Sequence, residues 1–158
     1  MKVKLLQVGK TDASWLREGI AVFEKRLIHY LPFSVVTVAS PKYLKSLGMK
    51  EILETEGEKI LGAIDFQDHV ILCDEKGREC TSLELATQLK SYSERSGIQT
   101  LVFVIGGPYG FHTRVYDRAN SLLSFSRLTF SHQMIRLLFV EQLYRSMTIL
   151  KGEPYHHS

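Results

Sequence analysis

The side chains best suited to chemistry gather in the last third of the chain. His132 and Arg136 stand four residues apart, Glu141 and Arg145 stand four apart again, and the chain closes on Pro154-Tyr155-His156-His157. Residues at i and i+4 share one face of a helix, so each pair can meet. An imidazole beside a guanidinium can move a proton or stabilise an anion. The simpler reading of Glu141 with Arg145 is a structural ion pair, and of His132, directly after Ser131, a polar residue at a helix start. An aromatic next to imidazoles can stack on a base and donate hydrogen bonds, although a chain end usually frays. Upstream, Val102-Phe103-Val104-Ile105 runs into Gly106-Gly107-Pro108-Tyr109-Gly110. An apolar strand that ends in glycines leaves backbone N–H groups free to meet a ligand at close range. The glycine spacing matches neither G-x-G-x-x-G nor a Walker loop, which argues against dinucleotide and ATP phosphates. No Ser/His/Asp, paired-carboxylate or HExxH arrangement anchors a hydrolase.

Hydrophobic periodicity supplies the frame for these residues. Residues 2–8 alternate charged and apolar types and stop at Gly9, which predicts a strand. Asp12 or Ser14 is placed to cap a helix carrying Leu16, Ile20, Phe23 and Leu27 as far as about His29. Residues 33–38 read as a strand between Pro32 and Pro41, and residues 42–49, with no clear period, as a loop. A second helix is expected over 50–64, with Leu53, Ile60, Leu61 and Ile64 inward and Glu51, Glu54, Glu56 and Glu58 mostly outward. Residues 69–73 form a buried strand that ends at the turn 74–77, and Ser82 caps a helix with Leu85, Ala86 and Leu89 inside. Residues 100–105 are the most apolar strand and belong at the centre of the sheet. A short helix over 113–119, a short strand over 122–125 and a long helix over 132–150 complete the chain.

Strands alternating with helices predict an α/β fold, a mostly parallel open sheet with helices on both faces. Ligands of such sheets bind outside the carboxyl ends of the strands, which points at Cys73, at residues 106–110 and at the turn after Phe125. Apolar residues extend around more than one face of the last helix, so a second partner is implied, most simply another copy of the chain.

The chain has 158 residues, enough for one domain with a sizeable core, and we read residues 1–158 as that domain. Its net charge of +3 is concentrated: residues 1–111 carry 14 Lys+Arg against 14 Asp+Glu, and residues 112–158 carry 6 against 3. Five of those six cations are Arg, whose planar fork suits phosphates and base edges. Cys73 and Cys80 match neither a CxxC redox pair nor a zinc ligand set, so no metal and a reducing, cytoplasmic setting are expected. The N-terminus is too short and too interrupted by lysine for a signal peptide, and no apolar run approaches a membrane span.

Several segments carry a further signal as an ordered set. They are Gln7-Val8-Gly9-Lys10, Glu56-Gly57-Glu58, the 106–110 loop, Leu123-Ser124-Phe125-Ser126, Thr129-Phe130-Ser131-His132, Glu141-Gln142-Leu143-Tyr144-Arg145 and Pro154-Tyr155-His156. Over nearly the whole length this set resembles the ribosomal RNA large subunit methyltransferase H family, small members of the SPOUT class. The resemblance implies a C-terminal trefoil knot, a homodimer, and S-adenosylmethionine held at the knotted turns. It also implies methyl transfer to N3 of a pseudouridine in large-subunit rRNA of the assembled ribosome. By position, the cofactor contacts implied are Cys73, Gly106, Phe125, Ser126, Arg127, Leu128, Thr129 and Phe130. Cys73 stands where the family often has Leu, and Ser131 where Pro is common. For the acceptor, His132, Arg136 or Arg145 would favour the anionic base, or His132 would accept its proton, while Tyr155 and His156 would help hold the nucleotide. Two other classes share parts of this pattern: a non-catalytic RNA-binding module using the arginine-rich face, and a flavodoxin-like nucleotide-binding regulator.

Overall fold

The computed structural model describes residues 1–41 and 46–157. Its elements are β1 (Lys2–Val8), α1 (Ser14–Leu27), β2 (Phe33–Val38), α2 (Met49–Gly62), β3 (His69–Glu79), α3 (Ser82–Glu94), β4 (Thr100–Ile105), α4 (Thr113–Arg118), β5 (Ser121–Ser124) and α5 (Met134–Lys151). The strands form one 5-stranded sheet in the order β2-β1-β4-β3-β5, and every pairing is parallel. The α/β class expected from the alternating periods is the one observed. Of the loop expected over 42–49, residues 42–45 lie outside the described residues, and Met49 already belongs to α2.

The apolar strand β4 holds the middle of the sheet and is buried from Leu101 to Ile105. Alternate side chains of a strand point to opposite faces, and both faces here are covered. Leu101, Phe103 and Ile105 enter a core shared with Leu27 of α1, Leu89 of α3 and Phe139 and Leu143 of α5. Val102 and Val104 enter a second core with Ile60 of α2 and Val115 of α4. Helix α5 lies against both α1 and α3, and its Phe139 ring meets Phe103 at 4.9 Å. Between them α1, α3 and α5 cover one face of the sheet, and α2 with α4 covers the other.

Four local features differ from the sequence expectation, each for a physical reason. The N-cap of α1 is Ala13 with no side-chain bond, because Asp12 is engaged elsewhere: its carboxylate accepts from Gln133 Nε2 at 2.9 Å and its N–H donates to Gln133 Oε1 at 2.8 Å. Helix α3 is capped by Thr81, one residue before Ser82, in a capping box with Glu84. The Ser82 hydroxyl instead donates to Gln142 of α5 at 2.8 Å. In α2 the buried face is Ile52, Glu56, Gly57 and Ile60, so Glu56 points inward. Gly57 sets that rotation, since a Cβ there would fall 2.9 Å from His112 Cβ.

The fourth difference lies in β3, which does not end at Cys73. Its pairing with β5 breaks after Cys73↔Leu123 and resumes at Arg78↔Leu123, so residues 74–77 leave the ladder and the chain rejoins it. Gly77 makes this crossing possible: a Cβ would lie 2.5 Å from Leu123 C and 2.6 Å from Leu123 N. Backbone passes over backbone there with no room for a side chain.

Candidate functional site

Three chain segments meet at the carboxyl ends of β3, β4 and β5, where an open parallel sheet places its ligand crevice. They enclose a cavity of about 480 Å³. This lies within the ~300–1,000 Å³ range of small-molecule clefts. One wall is the glycine loop after β4. Gly110 there has φ +82°, and its N–H donates to Gly107 O at 3.3 Å, closing a tight turn. A Cβ at Gly106 would meet both Gly110 O and the Phe111 ring at 3.0 Å, and one at Gly107 would meet the Glu56 carboxylate at 2.6 Å. The loop therefore depends on small residues for its own packing and presents backbone to the cavity.

The opposite wall is the turn after β5. Ser124 Oγ donates to Ser126 O at 3.1 Å, and Leu128 N–H donates to Ser126 Oγ at 2.9 Å, so two serines shape the turn. Phe125 is anchored edge-on against Phe139, 6.2 Å away, while Leu128 remains 73% exposed. Cys73, the last residue of β3 before the break in its ladder, closes the cavity, and burial followed by the neighbouring Asp74 carboxylate pushes its thiol well above the usual range. A thiol so raised stays protonated and acts as a small apolar wall. Of the positions singled out for the cofactor, Cys73, Gly106, Phe125, Ser126, Leu128, Thr129 and Phe130 all line this cavity. Arg127 does not line it; its side chain is exposed and pairs with Glu79 at 3.2 Å.

The five candidate catalytic side chains divide into three groups. His132 lines the cavity. Burial, then the Arg136 charge, lower its pKa against a smaller opposing pull from Asp12, so the imidazole is neutral at pH 7. Arg136 is fully buried; it donates to Thr11 Oγ1 at 2.8 Å and to Val8 O, tying the start of α5 to the end of β1. Arg145, Tyr155 and His156 lie near the other end of α5. At 1.5 Å per residue, Arg145 is roughly 17 Å along α5 from Met134, where the helix begins just after His132.

At that far end the tail is packed onto its own helix. Arg145 pairs with Glu141, and Tyr155 Oη donates to the same Glu141 Oε1 at 3.1 Å. The Arg145 guanidinium lies 4.7 Å from the Tyr155 ring centroid, and Tyr144 meets Tyr155 edge-on at 4.9 Å. Tyr30 hydrogen-bonds Glu153, and His156 Nδ1 is buried without a partner. The Glu141 bond, the leading cause, and its charge raise the Arg145 pKa, against the opposing effect of burial.

Among the side chains of the cavity with no functional reading in the sequence, two form a pair. Asp74 and Tyr116 both line it, and Tyr116 Oη donates to Asp74 Oδ2 at 2.6 Å. Asp74 is the first residue to leave the ladder after Cys73, at the side of the sheet where open α/β folds meet their ligands. That signal was present in the sequence but read only as part of a turn. Among the described residues, no helix is long and apolar enough to cross a membrane.

Comparison with known proteins agrees with this geometry. A family model described as Predicted SPOUT methyltransferase matches residues 1–156. A ribosomal RNA large subunit methyltransferase H from Parabacteroides distasonis is 48% identical over 157 residues, covering 99% of each chain. Proteins of the same name from Flavobacterium psychrophilum and Cytophaga hutchinsonii are 48% and 46% identical, again over 99% of this chain and 99% and 100% of theirs. Among solved structures, a probable methylase family protein from Haemophilus influenzae Rd KW20 superimposes with a TM-score of 0.54 at 13% identity, over 99% of this chain and 70% of that one. The strand-end cavity, the two turns that wall it and the full-length match lead to one conclusion: this chain belongs to the SPOUT methyltransferases, in the ribosomal RNA large subunit methyltransferase H family.

Proposed function

We propose that this protein is a cytoplasmic homodimer that transfers a methyl group from S-adenosylmethionine to N3 of a pseudouridine in large-subunit rRNA, on the assembled ribosome. The observation that carries this reading is the convergence of Cys73, Gly106 and the 125–130 turn on one cavity at the strand ends. The donor set suits an adenosyl sulfonium. Ile105, Leu123, Phe125 and Ile135 give apolar walls, and the glycine loop gives backbone. The cofactor supplies an electrophilic methyl group on sulfur, and the protein gains chiefly by aligning donor and acceptor in a dry site.

The acceptor N3–H must lose its proton. His132, neutral and at the cavity, is suited to take it. Arg136 acts as a positioning residue, holding the first turn of α5 against β1 and adding its charge to the burial that lowers the His132 pKa. Arg145, Tyr155 and His156 would act on the nucleotide from the second subunit, because their own cavity is too far along α5. The trefoil knot belongs to the same reading. It is supported by β5 lying outside β3 while α5 returns to pack on both α1 and α3, past the crossing at Gly77.

The relatives named above are large-subunit rRNA methyltransferases, and a net charge of +3 is small for tight binding to free RNA. Selectivity then comes from a structured ribosomal surface. Labelled S-adenosylmethionine with purified ribosomes tests this: methyl groups enter one nucleotide of the large-subunit rRNA in ribosomes, and naked rRNA fragments are poor substrates. No incorporation, or equal turnover of fragments and ribosomes, contradicts the reading.

A further inference from the structure

We propose that Asp74 holds the ribose of the methyl donor, accepting hydrogen bonds from its vicinal 2′- and 3′-hydroxyls, with Tyr116 as the positioning residue that aims the carboxylate. This rests on the cofactor reading above and assigns a carboxylate of the cavity to the donor's ribose.

Both residues line the cavity, at the boundary between the end of β3 and the glycine loop. The carboxylate is held at two points: Oδ1 accepts the Lys76 N–H at 2.8 Å and Oδ2 accepts the Tyr116 hydroxyl at 2.6 Å. An ionised carboxylate offers about four acceptor positions, so each oxygen keeps one free. No cation forms an ion pair with Asp74 among the described residues, which leaves its charge for a ligand. A carboxylate with its plane fixed and one acceptor position per oxygen matches two adjacent hydroxyl donors.

Tyr116 is itself fixed. Its ring stands edge-on to Phe111 at 5.8 Å, Lys76 Nζ lies 5.6 Å from the ring centroid, and a Cβ at Gly110 would come within 3.9 Å of its hydroxyl. Burial, followed by the bond to Asp74, raises the phenol pKa, so the hydroxyl keeps its proton and remains the donor. The pair thus links β3, α4 and the glycine loop at one edge of the cavity. The apolar residues Leu123, Phe125 and Ile135 that also line the cavity supply the surface an adenine ring needs.

Titration calorimetry on the full chain tests the assignment with S-adenosylhomocysteine and its 2′-deoxy and 3′-deoxy counterparts. The quantity read is the ratio of Kd values, deoxy over ribo, which general loosening of the fold leaves unchanged. In the unsubstituted protein each missing hydroxyl weakens binding by roughly 10-fold or more, the range of a hydrogen bond to a charged group. In Asp74→Ala both ratios fall close to one. In Tyr116→Phe, which keeps the ring, they fall at least about threefold, and this variant decides the matter if Asp74→Ala does not fold. Ratios near one in the unsubstituted protein, or ratios unchanged in the variants, overturn the role of Asp74 while leaving the methyl-donor reading intact. No affinity for S-adenosylhomocysteine at all would instead overturn the methyl-donor reading, and this assignment with it.

Discussion

His132 and Arg136 are four residues apart, but α5 begins only at Met134, so His132 lies in the turn before the helix and faces a cavity while Arg136, in the first helical turn, is wholly enclosed. The sequence placed both on one helix and left their roles open, because i, i+4 spacing fixes a shared face and not what the face touches. Burial is the missing term, and it divides them. His132 is pushed below its ordinary value of 6.5, so its acidic limb in kcat/KM falls below pH 6.5 and activity is flat through pH 7. His132→Asn is expected to lower kcat by about 100-fold or more, the low end of a lost general base, with S-adenosylmethionine affinity within about threefold. An unchanged kcat removes His132 from the proton transfer. The same shift carries a stability sign: between 6.5 and the lowered value the unfolded chain binds the proton first. Stability is therefore lost as pH falls through that window, and His132→Asn removes this part of the slope. Arg136→Met leaves the Val8 carbonyl and the Thr11 hydroxyl without their donor. We expect a loss of about 1–3 kcal/mol per orphaned group, read as a lower denaturation midpoint.

At the scale of elements, strands and helices were legible because each needs one period and a buried face. Strands β1, β2 and β4 fall where alternation or a continuous apolar run placed them. The crossing in β3 was not legible, since a turn sequence such as residues 74–77 gives no sign that the chain will rejoin the same neighbour. Nor was the inward Glu56, whose burial follows from the close approach that Gly57 permits between α2 and His112. Glycines discriminate this account well. Gly77→Ala drives a Cβ into Leu123 backbone that cannot swing aside and should cost about 3 kcal/mol or more, at the upper end of overpacking. Gly62→Ala meets nothing within 4 Å at the end of α2 and should stabilise by ~0.4–1 kcal/mol. Denaturant midpoints at constant slope check both, and a neutral Gly77→Ala contradicts the crossing.

At the scale of the molecule, the site residues fall into two clusters at opposite ends of α5. The cavity with His132 is at one end, and Arg145, Tyr155 and His156 are at the other. A tail that might have frayed is instead held by Glu141, Tyr144 and Tyr30. Such an arrangement makes sense if two copies bring one cavity to the other's tail, in keeping with the second partner that the apolar faces of the last helix imply. Gly106→Val, which has no room for its side chain, and a chain truncated after Lys151 are each expected to be inactive alone. Mixed under conditions of subunit exchange, they should regain activity in heterodimers holding one intact site. Complete failure despite proven exchange contradicts a shared site.

The reaction proposed for this chain is methylation of one pseudouridine of large-subunit rRNA at N3. Mass spectrometry of that rRNA from cells lacking the gene tests it most directly. One methyl group is expected to be lost from a single pseudouridine, and to be restored by the intact gene and not by the His132→Asn form. An rRNA methylation pattern identical with and without the gene would contradict it.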